Sequence, residues 1–316
     1  LYYFKPAAKK NPVDSVLYHT NPSQLKSVGV YTLEKQFQFE AGGDIYTQSN
    51  LYFLSFNLSY YRFPNSFFGI GNNTLEENGE RYTNTHPFIR INVQREVAGH
   101  FYAGVKTFFE HTSITGIDSG GILDLAYIPG EEGGFNTGLG PWFSFDTRNN
   151  IYYPTKGIYI DGASVFHTAW LGSEYEYIDN TIEISYFLNT WEKQVLAFNG
   201  YAKFLPGDPP FNRMAELGGP FYMRGNYEGL YRDKYYTSFQ TEYRIPFLRY
   251  FGLNIFGGIG DVAPSPDEFV WNELKYSWGG GLRINILPGE SFNLRLDYGF
   301  GSNGDHGFYF QFNEAF

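Results

Sequence analysis

The sequence predicts an all-β fold, a transmembrane antiparallel up-and-down β-barrel. Three observations point there: alternation with a period of two, long alternating segments, and aromatic residues crowded at segment ends. Phe292, Leu294, Leu296, Tyr298 and Phe300 share one face of a stretch whose other face is Asn293, Arg295, Asp297 and Gly299. Leu282, Ile284 and Ile286 alternate with Arg283 and Asn285, and Ile89, Ile91 and Val93 with Arg90, Asn92 and Gln94. Phe135, Thr137, Leu139, Phe143 and Phe145 alternate with Asn136, Gly138, Gly140, Ser144 and Asp146. Successive strand residues point to opposite faces, so this is the strand period, and nothing comparable repeats at helical spacing. A soluble sandwich also alternates. Here, however, the segments run to roughly 10–17 residues, against about 5–6 for a soluble strand. Tyr and Phe at their ends fit the aromatic girdles of a membrane barrel. Backbone groups in lipid must all be paired, so a spanning sheet has to close on itself.

Composition narrows the class further. Aromatics make up 21% of the 316 residues, charged residues 18%, and there are 37 glycines. Mean hydropathy is slightly negative, and no run of about 18 apolar residues is available to span as a helix. With no cysteine there is neither a disulfide framework nor a thiolate metal site. A formal net charge of −10 excludes nucleic acid as a partner, because phosphate binding needs a basic surface. No signal-peptide pattern opens the chain, as expected of a mature sequence.

In chain order, Leu1 to Lys5 reads as the tail of a strand and Pro6 to Ser23 as a polar loop. Strands are expected near 24–40, 50–65, 80–97, 99–115, 134–147, 157–171, 174–191 and 193–204. Others are expected near 235–247, 250–263, 274–287, 290–300 and 307–316, making about 14 segments in one domain, residues 1–316. Phe63 to Asn73 reads as a glycine-rich connection, and loop 116–133 is long and acidic. Asp146 to Gly157 (DTRNNIYYPTKG) is a compact turn, and 205–234 is the longest connection. Long connections alternate with short ones, as in barrels whose loops gather on one rim.

Two stretches carry functional information. Loop 205–234 contains Arg224-Gly225, and the next strand places Gln240, Glu242 and Arg244 on its polar face opposite Phe239, Tyr243, Ile245 and Phe247. A loop arginine followed by a wall acid predicts a loop folded into the lumen. The second stretch is the C-terminus, where Phe308, Phe310, Phe312 and Phe316 fall on one face, as in a final strand that carries a sorting signal. The inward charges Arg90, Asp146, Arg283, Arg295 and Asp297 are expected to form a network that fills a narrow barrel.

These stretches resemble the BamA/TamA/FhaC outer-membrane insertase and translocase superfamily, the bacterial surface-antigen family. DTRNNIYYPTKG is similar to its turn D-x-R-x-x-x-x-P-T-x-G through Asp146, Arg148, Pro154 and Gly157. GGPFYMRGN is similar to its loop G-G-x-x-x-x-R-G, FQTEYRIPF to the following strand, and NLRLDYGFG with a terminal Phe to its end. The resemblance runs from about Asp146 to Phe316 and is weaker before it. It implies a barrel of 16 strands, and a lock in which Arg224 and Gly225 enter the lumen against Glu242. The polar network of Arg244, Arg283, Arg295 and Asp297 would surround that lock.

The chain departs from the pattern in three places. Asn226 stands where an aromatic usually follows Arg-Gly. Gly258 stands where the next strand often carries a second acid, with Asp261 three positions on. No stretch of the sequence reads as a periplasmic POTRA module, so a barrel without them is expected.

The implied function is assistance with insertion or translocation of protein or lipid at the outer membrane of a Gram-negative bacterium, without covalent chemistry and without a cofactor. Its expected partners are outer-membrane lipids, client outer-membrane proteins and a separate periplasmic partner, and oligomeric state is unread. The alternatives are a passive pore for small solutes and, third, an outer-membrane enzyme. Against an enzyme, His19, His86, His100, His111, His167 and His306 are scattered, with no triad order and no H-x-x-H spacing. Asp118, Asp124, Glu131 and Glu132 read as a solvated acidic loop before they read as a calcium site, so no metal and no catalytic residue is expected.

Overall fold

The computed structural model describes residues 2–4, 9–10, 17–18, 20–33, 36–287 and 292–316. Fifteen strands form one antiparallel sheet in which each strand pairs with the next in the chain. They are β1 Tyr2–Phe4, β2 Ser23–Tyr31, β3 Phe37–Tyr46, β4 Tyr52–Phe67, β5 Glu80–Ala98, β6 Phe101–Thr115, β7 Gly133–Asp146 and β8 Gly157–His167. Then follow β9 Tyr177–Asn189, β10 Val195–Phe204, β11 Tyr235–Pro246, β12 Phe251–Ala263, β13 Lys275–Leu287, β14 Phe292–Gly301 and β15 His306–Phe312. No helix among the described residues is long and apolar enough to cross a membrane; a barrel crosses with strands.

The sheet is polar inside and apolar outside. Leu58, Ile89, Val105, Phe143, Ile184, Phe239, Ile255 and Phe310 are exposed on the outer face. Glu110, Glu242, Arg244, Arg283, Arg295 and Asp297 are buried on the inner one. So much contiguous exposed apolar surface is what a lipid-facing band requires and what a soluble monomer lacks.

The sheet curls until its flanks meet at both rims. At the short-turn rim, Tyr152 of the β7–β8 turn donates to the Pro22 carbonyl beside β2, at 3.5 Å. Its ring also packs edge-on against Phe292 of β14, 5.4 Å away. At the long-loop rim, Asn72 of the β4–β5 loop donates to Asp261 of β12 (3.3 Å) and to Glu273 (3.0 Å). Among the described residues no ladder joins β1 to β15, and the alternation makes these two edge strands run the same way.

Several expected boundaries are corrected. The segment expected at 24–40 is two strands, β2 and β3, the second reaching Tyr46. Thr32 closes the turn between them, donating its N–H to the Gln36 carbonyl at 3.0 Å. That turn contains no Gly, Pro, Asn or Asp, so no breaker marked it. Among the described residues the sheet has 15 strands, in keeping with the expected total of about 14, this split supplying the additional one.

Half of the expected connection Phe63 to Asn73 is strand: β4 continues to Phe67, and even Pro64 stays in register with Thr83. Ser23, expected in a loop, opens β2, and the stretch before it contains a short ladder, Lys9–Lys10 with Leu17–Tyr18. The remainder of Pro6 to Ser23, including His19, lies outside the described residues apart from 20–22, as do Leu1 and Lys5.

The acids of loop 116–133 turn to backbone. Asp118 accepts from Arg81 N–H at 2.8 Å, Asp124 from Gly120 N–H at 2.8 Å, and Glu131 from Ile128 N–H at 3.0 Å.

Candidate functional site

Loop 205–234 packs on the inner wall. Leu205, Leu217, Met223, Leu230 and Tyr231 form one buried cluster with Tyr177, Tyr236 and Val262 of the strands. The loop carries its own ladder, Ala215–Glu216 with Arg232–Asp233, which holds the tip Leu217 to Tyr231 as a hairpin-like unit.

Glycines decide where the tip rests. Gly225 has φ 108°, a backbone region that favours glycine, and a Cβ there would sit 2.4 Å from the Phe300 carbonyl carbon. On the wall, a Cβ at Gly299 would lie 2.8 Å from the Arg224 backbone, and one at Gly301 would lie 2.6 Å from Asn226 N. The Arg-Gly backbone thus lies directly against β14. Gly225 N–H donates to the Tyr309 hydroxyl of β15 at 2.9 Å, and Ser277 of β13 donates to the Arg224 carbonyl at 2.5 Å. Gln240 adds two anchors, accepting from Met223 N–H at 3.0 Å and donating to the Phe221 carbonyl at 3.2 Å.

With the backbone placed, the Arg224 side chain is fully buried. Its guanidinium donates to Glu242 at 2.7 Å and to Asp297 at 2.5 Å, and lies 3.7 Å from the centre of the Phe256 ring. A planar fork between two carboxylates and over an aromatic face uses the particular shape of arginine.

The second acid comes from β14. The following strand, where the pattern put it, carries Gly258, and a Cβ at that position would meet Gln240 at 2.9 Å and the Met223 sulfur at 3.3 Å. Asn226, the other departure, is buried. It donates to the Met223 and Tyr276 carbonyls at 3.2 and 2.9 Å and accepts from Ser302 N–H at 2.9 Å. It therefore ties the tip to the ends of β13 and β14 through an amide that donates twice and accepts once, a pattern that no aromatic side chain reproduces.

The network extends beyond the loop. Arg283 donates to Asp297 at 2.5 Å and lies 3.5 Å from Glu242, and Arg244 donates to Glu242 at 2.8 Å. Arg295 lies 3.4 Å from Asp297 and donates to the Pro220 carbonyl of the loop at 2.9 Å. Arg90 and Asp146 stand apart from it. Asp146 chelates Arg148 within its own turn, at 2.9 and 2.7 Å. Pro154 offers its carbonyl to Arg244 at 3.4 Å, and Gly157 (φ 112°) has no room for a side chain beside the Thr147 carbonyl.

The C-terminus corrects a second expectation. Phe308, Phe310 and Phe312 are exposed on the outer face, but Phe316 is not with them. Asn313 adopts φ 64°, the strand stops, and the tail turns inward. Glu314 then accepts from Arg283 at 2.7 Å and from Asn293 at 2.8 Å, while the Phe316 carbonyl accepts from Arg244 at 2.8 Å. Phe316 packs with Phe187, Val195, Ala197 and Tyr153. Period-two counting carried Phe316 onto the outer face because it assumed that the strand ran to the last residue.

The sequence reading also missed a second contact between loop and wall. Arg213 of the loop donates to Glu110 of β6 at 2.8 Å through Nε and makes a further contact through Nη2. The signal available was Glu110, an acid on a strand whose neighbouring inward positions are aromatic or neutral. Nearer the long-loop rim, Glu228 is exposed in a cavity whose lining it shares with Glu216 and Arg232. Desolvation by the surrounding protein pushes its carboxyl up to about 7, Glu216 adds to the rise, and Arg232 opposes it.

Fold and site together define a β-barrel of the outer-membrane type with a long loop drawn onto its inner wall. The chain belongs to the Omp85 superfamily, whose domain profile matches residues 22–316. Among solved structures it is similar to BamA from Haemophilus ducreyi lacking POTRA domains 1–3, with a TM-score of 0.60 at 14% identity, covering 92% of this chain and 64% of that one. It is also similar to CdiB from Acinetobacter baumannii (TM-score 0.58, 14% identity, 92% of this chain and 53% of that one). CdiB from Escherichia coli gives 0.57 at 10% identity, with 89% and 54% covered. The chain thus spans between about half and two thirds of these structures, and at such identities the likeness is one of fold. No curated protein sequence matches it.

Proposed function

We propose that residues 1–316 form a single barrel in the outer membrane of a Gram-negative bacterium that assists insertion or translocation of protein or lipid there, without covalent chemistry. In this reading Arg224, Gly225 and Glu242 lock loop 205–234 inside the lumen. Outer-membrane lipids, client barrel proteins and a periplasmic partner are its candidate partners.

The observation that carries the reading is the tip of the loop. One guanidinium engages β11 and β14, while the adjacent backbone engages β13 and β15. A device that ties a lumenal loop to β15, a strand that no ladder joins to β1 among the described residues, couples the state of the lumen to the seam where a client strand or lipid would enter. Family membership supports the same class of role. A passive pore is the second reading, favoured by the cavities that remain along β3–β10.

The test reconstitutes the barrel in liposomes and follows lipid flip, ion conductance and assembly of a denatured client barrel together, in wild type, Arg224→Ala and Glu242→Ala. Flip or assembly without large steady conductance, lost in both variants, is the expected result. Steady conductance with neither other activity would overturn it in favour of the pore.

A further inference from the structure

The half of the lumen walled by β5–β10 encloses a cavity of about 320 Å³. Three cations line it, Arg90, Lys106 and Lys203, and three acids, Asp161, Asp179 and Glu183. Four of these six side chains are already matched. Lys106 Nζ lies 3.4 Å from Asp161 and Lys203 Nζ lies 3.7 Å from Asp179. The remaining two are Arg90 and Glu183.

Among the described residues, no carboxylate comes within ion-pair distance of Arg90. Its guanidinium lies 5.5 Å from the centre of the Phe88 ring and 5.6 Å from that of Phe108. Glu183 receives neutral donors, Asn199 Nδ2 at 2.8 Å and the Tyr222 hydroxyl at 3.3 Å, and among the described residues no cation comes within ion-pair distance of it. The leftover cation stands on β5 and the leftover acid on β9, four strands apart in the sheet, facing one cavity.

This contrasts with the charges around Arg224, which interlock. Arg90 is exposed to the cavity and Glu183 is half-buried, so water serves both charges in the open cavity and a ligand of matching charges could take its place. Here the two unmatched charges have opposite signs, open space lies between them, and aromatic side chains flank the gap. Tyr201 and the loop residue Tyr222 stack at 4.2 Å on one side, and Phe108 lines the other. The lining is mostly polar, with Phe108, Tyr201 and Tyr222 as its aromatic part, so recognition here would rest on charge and hydrogen bonding more than on apolar burial.

We propose that this cavity binds a small organic zwitterion of the amino-carboxylate class. Its carboxylate would take the edge donors of Arg90, its ammonium would meet Glu183, and its stem would lie along Tyr201 and Phe108. A guanidinium is the side chain best shaped for a carboxylate, and among the described residues Arg90 has two aromatic neighbours and no carboxylate in ion-pair contact. The site is separate from the Arg224 contacts and does not depend on the insertase reading.

Isothermal titration of the full chain in detergent micelles with 4-aminobutanoate is the test, with glycine and 6-aminohexanoate as shorter and longer probes. Butanoate and butylammonium serve as single-ended controls. At least one of the three amino acids binds, neither control competes with it, and Arg90→Ala and Glu183→Gln each weaken binding by about tenfold or more, as the loss of a charged hydrogen bond does. Arg90→Lys, which keeps the charge and loses the fork, falls between wild type and Arg90→Ala. The heat-dependent shift of a folded barrel on gels shows that each variant is folded before it is titrated. No binding by any of the three, equal binding by butanoate, or affinity unchanged in both charge-removing variants overturns the proposal. Because the readout is affinity alone, its failure leaves the liposome assays above unaffected.

Discussion

The two halves of the lumen are built from similar residues and solve the same problem differently. Around β11–β15, four arginines (Arg224, Arg244, Arg283, Arg295) and three carboxylates (Glu242, Asp297, Glu314) interlock, all buried. Around β5–β10 the charges pair locally or stand alone, and cavities remain. Glycine explains much of the difference. Gly258, Gly279, Gly281, Gly299 and Gly301 face inward on β12–β14, and a side chain on any of them would strike the loop or the inner wall. Opposite them the loop meets the wall through side chains: Arg213 lies 5.0 Å from the Phe108 ring centre, Tyr222 stacks on Tyr201 at 4.2 Å, and Lys203 donates to the Arg213 carbonyl at 3.2 Å. The loop is thus held by close backbone approach on one side and by side-chain contacts beside open cavities on the other, so loosening it should begin on the β5–β10 side.

Ion pairing gives the contrast its largest test. Arg224→Ala leaves Glu242 and Asp297 buried beside fewer cations, and removal of one partner from a buried cluster costs about 3–5 kcal/mol. In urea unfolding from lipid vesicles followed by tryptophan fluorescence, Arg224→Ala should lower the midpoint strongly. Arg90→Ala should change stability by less than about 1 kcal/mol, the range of pairs in contact with water. Equal losses would dissolve the distinction between the halves.

Backbone fit comes next. Gly225→Ala places a side chain at φ 108° with 2.4 Å to the Phe300 backbone, a strain of about 1–3 kcal/mol. Gly200→Ala on β10 meets nothing within 4 Å and should be neutral within about 0.5 kcal/mol. Protease cleavage within 205–234 reads the consequence: faster in Gly225→Ala, unchanged in Gly200→Ala.

The tail sharpens the comparison further. Glu314→Gln removes one acid from Arg283 but leaves it Asp297 and Glu242, so the cost should be smaller, about 1–3 kcal/mol for a hydrogen bond to a charged group. Its signature is local, with faster amide hydrogen exchange across His306–Phe312 and little change in β5–β10.

The smallest effect concerns Glu228. Its folded pKa of about 7 lies above the ordinary carboxylate value of 4.5. The folded state therefore binds more protons than the unfolded one between those values, and the contribution is fully present below about pH 4.5 and lost as pH rises through 7. Loop 205–234 should become more accessible to protease from pH 5 to pH 8, and Glu228→Gln should flatten that slope. A slope unchanged in the variant would assign it to another group.

Several features of this arrangement were legible along the chain and others were not. Which face of each strand would be polar followed from neighbours two positions apart, and Glu242, Arg244, Arg283, Arg295 and Asp297 all lie on the inner face. The break between β2 and β3 was hidden because alternation continues on both sides of a turn with no turn-forming residue. Glu110 and Glu314 went unremarked, since an acid gains meaning from a cation that is 103 positions away for one and 31 for the other.

By itself the sequence determined that the chain would be a long alternating sheet, apolar towards lipid and charged within, with an arginine loop before β11. Parity along a strand is a local property, and it survives any way the sheet is closed. Only the tertiary structure decided who meets whom across the lumen: that Asp297 rather than a β12 residue is the second carboxylate on Arg224, that the tail turns in to Arg283, and that Arg90 is left without an acid. Those choices depend on the curvature of the sheet and on glycines that let backbone approach backbone, and spacing along the chain encodes neither.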